Sequence, residues 1–87
     1  MAYVYILKSK KNNKYYIGST NNYKKRIRQH VLGNVAFTKN IRPFKMVLLQ
    51  EYLTITEARK IENKLKRLKR KDYIDKIVKE GFIKLGL

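Results

Sequence analysis

Two segments constrain this chain more than any others, AYVYILKS (Ala2–Ser9) and KYYIGST (Lys14–Thr20). Both are rich in β-branched and aromatic residues, and the polar KKNNK between them suits a turn, so a β-hairpin is predicted. Neither segment alternates apolar with polar residues. Strands that are apolar on both faces belong to a sheet covered on both sides, so helices must supply the two covers. The rest of the chain provides them. STNN offers several N-cap residues for a helix running to about Leu32, with Tyr23, Ile27 and Val31 as its core stripe. Gly33 and Asn34 stop it. A basic, irregular connection, Asn34–Phe44, holds the only proline and leads to a third strand, Lys45–Leu53. Thr54 or Thr56 caps the next helix, Thr54 having Glu57 three residues on. Ala58, Ile61, Leu65 and Leu68 are its buried stripe. A last helix spans about Asp72 to Lys79, with Asp72 as cap, Asp75 near the positive helix start and Gly81 as stop. The tail after Gly81 is ambiguous. With no repeats or linkers, the expectation is one domain over residues 1–87. Its class is α+β, a three-stranded, mainly antiparallel sheet flanked by helices in the order β-β-α-β-α-α.

Charge narrows the choice of partner. Among 87 residues, 22 Lys and Arg face six Asp and Glu, a net charge of +16, and such self-repulsion is relieved by a polyanion. The cations cluster in Lys8–Lys14, Tyr23–Arg28 and Lys64–Lys71. One cluster alone reads as a solvated surface; three point to nucleic acid. Lys24, Lys25, Arg28, Lys39 and Arg42 are the expected phosphate contacts. No basic helix has a long apolar face, so an anionic membrane is not the expected partner. The absence of cysteine excludes disulfides and cysteine-based zinc sites and agrees with a reducing cytoplasm. A hydrophobic content of 44% is too high for disorder. There is no membrane-length apolar run and no ordered signal peptide. A cytoplasmic protein is expected.

Six acidic residues limit the chemistry. Two-metal nucleases and glycosidases need clustered carboxylates, whereas Glu57 and Glu62 point to different sides of one helix and Glu51 is on a strand. A single carboxylate can still hold Mg²⁺ when water and phosphate complete the shell. Glu62 is the candidate, beside Ile61 on a helix loaded with lysine and arginine; the alternative is a plain i,i+4 pair with Lys66. Arg26 and His30 are four apart on one helix face. A guanidinium that clamps charge beside an imidazole that moves a proton suits a phosphodiester; otherwise His30 serves the helix end or the surface. Tyrosines pack with the hydroxyl bonded at the core edge, or act as bases where positive charge lowers their pKa.

These residues, in this order, resemble the GIY-YIG nuclease superfamily, especially small stand-alone members related to the excinuclease N-terminal domain. The second signature is intact as Tyr16-Ile17-Gly18. The first reads Tyr3-Val4-Tyr5, with Tyr3 in place of its glycine. Arg26 lies ten residues after Tyr16, His30 falls where the family has His or Tyr, and Glu62 in EARKIENKLK matches the metal-binding glutamate. The resemblance covers roughly Ala2 to Lys69. It implies a catalytic set of Tyr5, Tyr16, Arg26, His30 and Glu62, with Glu62 holding one Mg²⁺ or Mn²⁺. Arg26 would stabilise the pentacovalent phosphate, Tyr5, Tyr16 and His30 would orient and deprotonate water, and Gly18 would be structural. Ser19 stands where excinuclease relatives have lysine, and the only asparagine after Glu62 is the adjacent Asn63. The implied function is a divalent-metal-dependent DNA endonuclease, structure-specific in repair or recombination, with a protein partner or the basic surface for targeting. The alternatives are a non-catalytic nucleic-acid-binding module of the same fold, or an RNA-associated structural protein.

Overall fold

The computed structural model describes residues 1–33, 42–68 and 70–84. The elements are β1 (Ala2–Ser9), β2 (Tyr15–Thr20), α1 (Tyr23–Val31), β3 (Phe44–Tyr52), α2 (Ile55–Leu68) and α3 (Lys71–Glu80). Their order is the expected β-β-α-β-α-α. The sheet is antiparallel throughout, with strand order β2-β1-β3. The most apolar segment therefore occupies the centre, and β2 is an edge strand.

Alternation along β1 separates the two covers. Ala2, Val4 and Ile6, with Ile17 and Leu48, face a core completed by Ala58, Ile61 and Leu65 of α2, Ile74 and Ile77 of α3, and Ile83. Tyr5, Leu7 and Ser9 are equally buried on the other face, where α1 supplies His30 against Tyr5 and Tyr23 against Tyr3. The KKNNK turn places Asn13 at φ 62°, and Ser9 N–H donates to the Lys14 carbonyl at 2.9 Å. Asparagine tolerates this left-handed backbone, which is what a tight reversal between two apolar strands needs.

Local capping resolves most of the open choices. Asn22 caps α1, its side chain accepting from Lys25 N–H. Gly33 follows the helix at φ 78°, and Gly81 ends α3 at φ 85°. Thr54 rather than Thr56 caps α2, its Oγ1 accepting from Glu57 N–H at 3.2 Å. Asp72 does not cap α3. The cap is Arg70, which makes no side-chain cap bond, and Asp72 instead pairs with the Arg70 guanidinium at 2.8 Å.

Two expected core stripes need correction. In α1, Val31 is 57% exposed and the fully buried residue is His30. Residues spaced by seven drift only about 20° around a helix, whereas two steps of four drift about 80°. Starting from Tyr23, His30 therefore returns to the sheet and Val31 does not. In α2 the stripe stops at Leu65, and Leu68 is 37% exposed. Beyond Leu65 the core is completed by α3 and Ile83. Among the described residues no helix is long and apolar enough to cross a membrane.

Candidate active site

The site grows from one cross-strand pair. Tyr5 of β1 lies opposite Gly18 of β2, on the sheet face that α1 covers. A Cβ at Gly18 would stand 2.5 Å from Cζ of the Tyr5 ring and on top of its hydroxyl. The missing side chain is thus the space through which Tyr5 crosses β2 toward the outer edge of the sheet. Gly18 has no positive φ, so space, and not backbone freedom, is what this position requires.

At its far end the Tyr5 hydroxyl meets α1. It lies 2.9 Å from His30 Nε2, and Arg26 Nε donates to it at 3.4 Å. Helical spacing of four puts both groups on the same face. Since Arg26 donates to the phenolic oxygen, the phenol proton is free to be donated to Nε2, which then acts as the acceptor nitrogen of a neutral imidazole. Arg26 Nη1 also donates to Gln29 Oε1 at 3.1 Å, which fixes the guanidinium. Tyr16 extends from β2 on the same face, its ring centroid 5.0 Å from His30 and 6.4 Å from Tyr5. Phe44 closes the imidazole's surroundings with its ring 6.0 Å away.

These surroundings set the protonation states. Burial, and then the Arg26 charge, push the His30 pKa down from 6.5 to about 4. The imidazole is therefore neutral near pH 7, with Nε2 the acceptor for the Tyr5 hydroxyl. Burial also raises the Tyr5 pKa, outweighing the lowering effect of the Arg26 hydrogen bond. Tyr5 is a phenol and not a phenolate here, so the positive charge around it does not make it a base by itself. Arg26 is held above its ordinary value, chiefly by the bond to Tyr5 and further by Tyr16.

Glu62 reaches the same edge from the opposite side. Ser19 follows Gly18 and alternates to the α2 face, where its Oγ donates to Glu62 Oε1. Lys66 Nζ lies 2.6 Å from Oε2, with the Lys66 side chain 50% exposed and that of Glu62 16%. The pairing considered from spacing alone is therefore present, and the carboxylate is also anchored to β2. Ser19 was read in the sequence only as a departure. Strand alternation combined with the α2 stripe is the signal that could have placed it next to Glu62.

Beside the Tyr5–Arg26 end lies a cleft of about 360 Å³, lined in part by Lys25, Arg26, Gln29 and Arg59. Arg59 escaped the sequence reading; it lies three residues before Glu62, so the two are neighbours along α2. Of the expected phosphate contacts, Lys25 lines the cleft, and Lys24 and Arg28 are exposed on α1. Arg42 is exposed too, but its Nη1 donates to the Val31 carbonyl at 3.1 Å, serving the end of α1. Lys39 lies outside the described residues.

Residues 1–76 match the model of the GIY-YIG catalytic domain. The chain belongs to the GIY-YIG family. A UPF0213 protein of Clostridium perfringens is 39% identical over 71 residues, which are 80% of this chain and 75% of that protein. A UPF0213 protein of Bacillus subtilis is 36% identical over 70 residues, 79% of this chain and 70% of the relative. The solution NMR structure of a UPF0213 protein from Bacillus halodurans superposes with a TM-score of 0.58 at 30% identity, covering 93% of this chain and 87% of that one. The fold is thus that of a nuclease-type domain. In GIY-YIG terms, the second signature forms edge strand β2, and the tyrosine of the first reaches across its glycine.

A divalent ion can be tested against the donors this GIY-YIG site provides. No group of three or more His, Asp or Glu is placed to hold a metal among the described residues. The donor set is one carboxylate, anchored by Ser19 at one oxygen and meeting a half-exposed ammonium at the other. That fits Mg²⁺ or Mn²⁺ bound through a single carboxylate, with water and a phosphate oxygen in the remaining positions. Lys66 is half-exposed and can swing into solvent, which leaves the Oε2 side of Glu62 open to an ion while Ser19 holds Oε1.

Proposed function

We propose that this GIY-YIG protein is a divalent-metal-dependent endonuclease that hydrolyses a phosphodiester of DNA, with residues 1–87 acting as one domain. The observation that carries this reading is the hydrogen-bonded array Arg26–Tyr5–His30, in which a neutral imidazole meets a buried phenol and the phenol's other partner, Arg26, lines a basic cleft.

Phosphate enters on the side of Lys25, Arg26 and Arg59. Arg26 is permanently charged and already oriented by Tyr5 and Gln29, so it neutralises the charge that accumulates on phosphorus-bound oxygens during attack. Water lies against the Tyr5 oxygen. As its oxygen bonds to phosphorus and the bond to one ester oxygen breaks, water's proton passes to Tyr5 and the Tyr5 proton passes to His30 Nε2. Tyr5 never needs to exist as a phenolate, which agrees with its raised pKa. Tyr16 packs against His30 and bears on the Arg26 charge, so it orients both. Glu62 would hold Mg²⁺ or Mn²⁺, and the ion, when bound, supplies Lewis-acid stabilisation of the leaving oxygen.

The test incubates the protein with plasmid, single-stranded and forked DNA plus Mg²⁺ or Mn²⁺. Wild type should cut at least one of these, and Glu62→Gln should not cut while still binding. Identical behaviour of the two proteins on every substrate ends the hydrolytic reading. The engagement of both Glu62 oxygens by Ser19 and Lys66 favours one alternative, a non-catalytic nucleic-acid-binding module. That reading predicts salt-dependent binding, no cutting, and no effect of the metal.

A further inference from the structure

On the core side of the β2 edge, next to Glu62 but facing away from the Arg26 cleft, lies a pocket of about 310 Å³. Its floor is apolar and partly aromatic, formed by Tyr15 and Ile17 of β2, Leu65 of α2 and Ile74 of α3. Its rim is cationic. Lys14, Lys66, Arg70 and Lys71 stand around it, Lys66 paired with Glu62 and Arg70 with Asp72, while the Tyr15 hydroxyl donates to Asp75 at the edge. Lys8 adds a further charge, its Nζ 5.4 Å from the Tyr15 ring centroid. A second recess, between Tyr15, Tyr16 and Lys66, runs from this pocket toward the site.

Ile17, Leu65 and Ile74 belong to the core, and the half-buried Tyr15 ring is where that core comes to the surface beneath the cations. With Lys66 and Arg70 each paired, Lys14 and Lys71 still give the rim a positive excess whose self-repulsion an anion relieves. The floor in turn asks for something flat and apolar. One ligand class unites these demands, a nucleobase carried on its own phosphate chain. The pocket is also tied to the reaction site. Lys66, which forms part of the rim, touches Glu62, and the two are one helical turn apart, about 6 Å along α2.

We propose that this pocket receives an unpaired nucleobase adjacent to the phosphate held at Glu62, with Lys14, Lys66 and Lys71 on the flanking phosphates. The strand then runs around the free edge of β2, from the Lys25–Arg59 cleft past Glu62 to Tyr15. A base in this pocket is out of any duplex stack, so the substrate is a single strand, or a duplex interrupted at the cut. The inference rests on the placement of the phosphate at Glu62 given above.

The test measures binding by the Glu62→Gln protein, which removes cutting from the readout. Fluorescence anisotropy compares a single-stranded oligonucleotide with the blunt duplex of the same sequence. Adding Tyr15→Ala should weaken single-strand binding by roughly tenfold, as expected for losing one base–aromatic stack, and change duplex binding less than about threefold. Charge reversal of the exposed rim, with Lys14→Glu and Lys71→Glu together, should show the same selectivity and leaves the floor intact if Tyr15→Ala proves unfolded by circular dichroism. Equal losses on the two ligands, or no loss on the single strand, would overturn the pocket assignment. Failure of wild type to cut any DNA would instead remove the nuclease reading, with the selective binding still to be seen.

Discussion

Gly18→Ala tests the geometry on which the site depends. The new Cβ would begin 2.5 Å from Cζ of Tyr5 and 3.0 Å from Cε1, whereas non-bonded carbons settle at about 3.5–4.0 Å. The ring must therefore retreat by about 1 Å. It has little room to do so, because Tyr5 is 1% exposed and held between Gly18, Arg26 and His30. A retreat of that size stretches the 2.9 Å bond to His30 beyond hydrogen-bonding range. Overpacking costs about 1–3 kcal/mol and the orphaned buried partners about 1–3 kcal/mol more. Relief of glycine's entropy cost in a strand returns about 0.5–1 kcal/mol. The net is about 1–5 kcal/mol, centred near 3, and the central value is a fall of roughly 10–25 °C in Tm for a chain of this size. Cleavage should drop about 100-fold, the effect of misplacing a catalytic group by about 1 Å. Thermal unfolding and a nicking assay read the two losses. The same substitution in a Tyr5→Leu background should cost less than about 0.5 kcal/mol, since the obstructing ring is gone, and the difference is the coupling energy. If Gly18→Ala is as stable and active as wild type, or costs as much with leucine at position 5, the glycine is not there to let Tyr5 pass.

Further outcomes follow from the same contacts. His30 binds its proton near pH 4 in the fold and near 6.5 when unfolded, so the unfolded chain holds more protons between these values. Stability should therefore fall as pH drops from about 6.5 to 4, by up to about 3 kcal/mol, measured as the urea midpoint. His30→Gln should flatten that part of the profile, and an unchanged slope would refute the assignment. Lys66→Ala should change stability by less than about 1 kcal/mol while tightening Mn²⁺ binding, read from the free-ion EPR signal, because a competing cation has left Glu62; weaker Mn²⁺ binding would contradict this. Arg42→Ala removes a donor from the Val31 carbonyl and should cost about 0.5–1.5 kcal/mol in denaturant, whereas a pure phosphate contact would leave stability unaltered.

How far the sequence could be read depended on whether an element's role is local. The hairpin, the helix caps at Thr54 and Gly33 and the Ala58–Ile61–Leu65 stripe rest on spacing and backbone chemistry between near neighbours, and they were legible. The family resemblance names Tyr5, Tyr16, Arg26 and His30 as one set, and the structure brings these side chains together. The Val31 stripe fails because a spacing of four drifts around a helix over two turns, so the fully buried residue of α1 is His30, which rules out its alternative reading as a surface residue. Ser19 and Arg59 are not marked by any local spacing: Ser19 meets Glu62 across 43 residues of chain, and only strand alternation combined with the α2 stripe hints at the pairing.

That approach also explains why an edge strand should carry the signature at all. Groups on opposite faces of a sheet are separated by the sheet itself, and α1 and α2 lie on opposite faces here. A centre that needs Arg26 and His30 from one helix and Glu62 from the other can form only where the sheet ends. β2 is that end, and Gly18–Ser19 is the step at which its two faces turn to the two helices. Gly18 lets the Tyr5 ring lie across the strand toward the rim, while Ser19 draws Glu62 up to the same rim from below. That rim is bordered by cations, Lys25 of α1 with Arg59 of α2 in one cleft and Lys14, just before β2, with Lys66 of α2 in the other pocket. Moving the glycine one position along β2 would turn the gap to the α2 face and leave Tyr5 shut beneath a side chain, so the order Gly-Ser is as much a part of this arrangement as Tyr5 and Glu62 themselves.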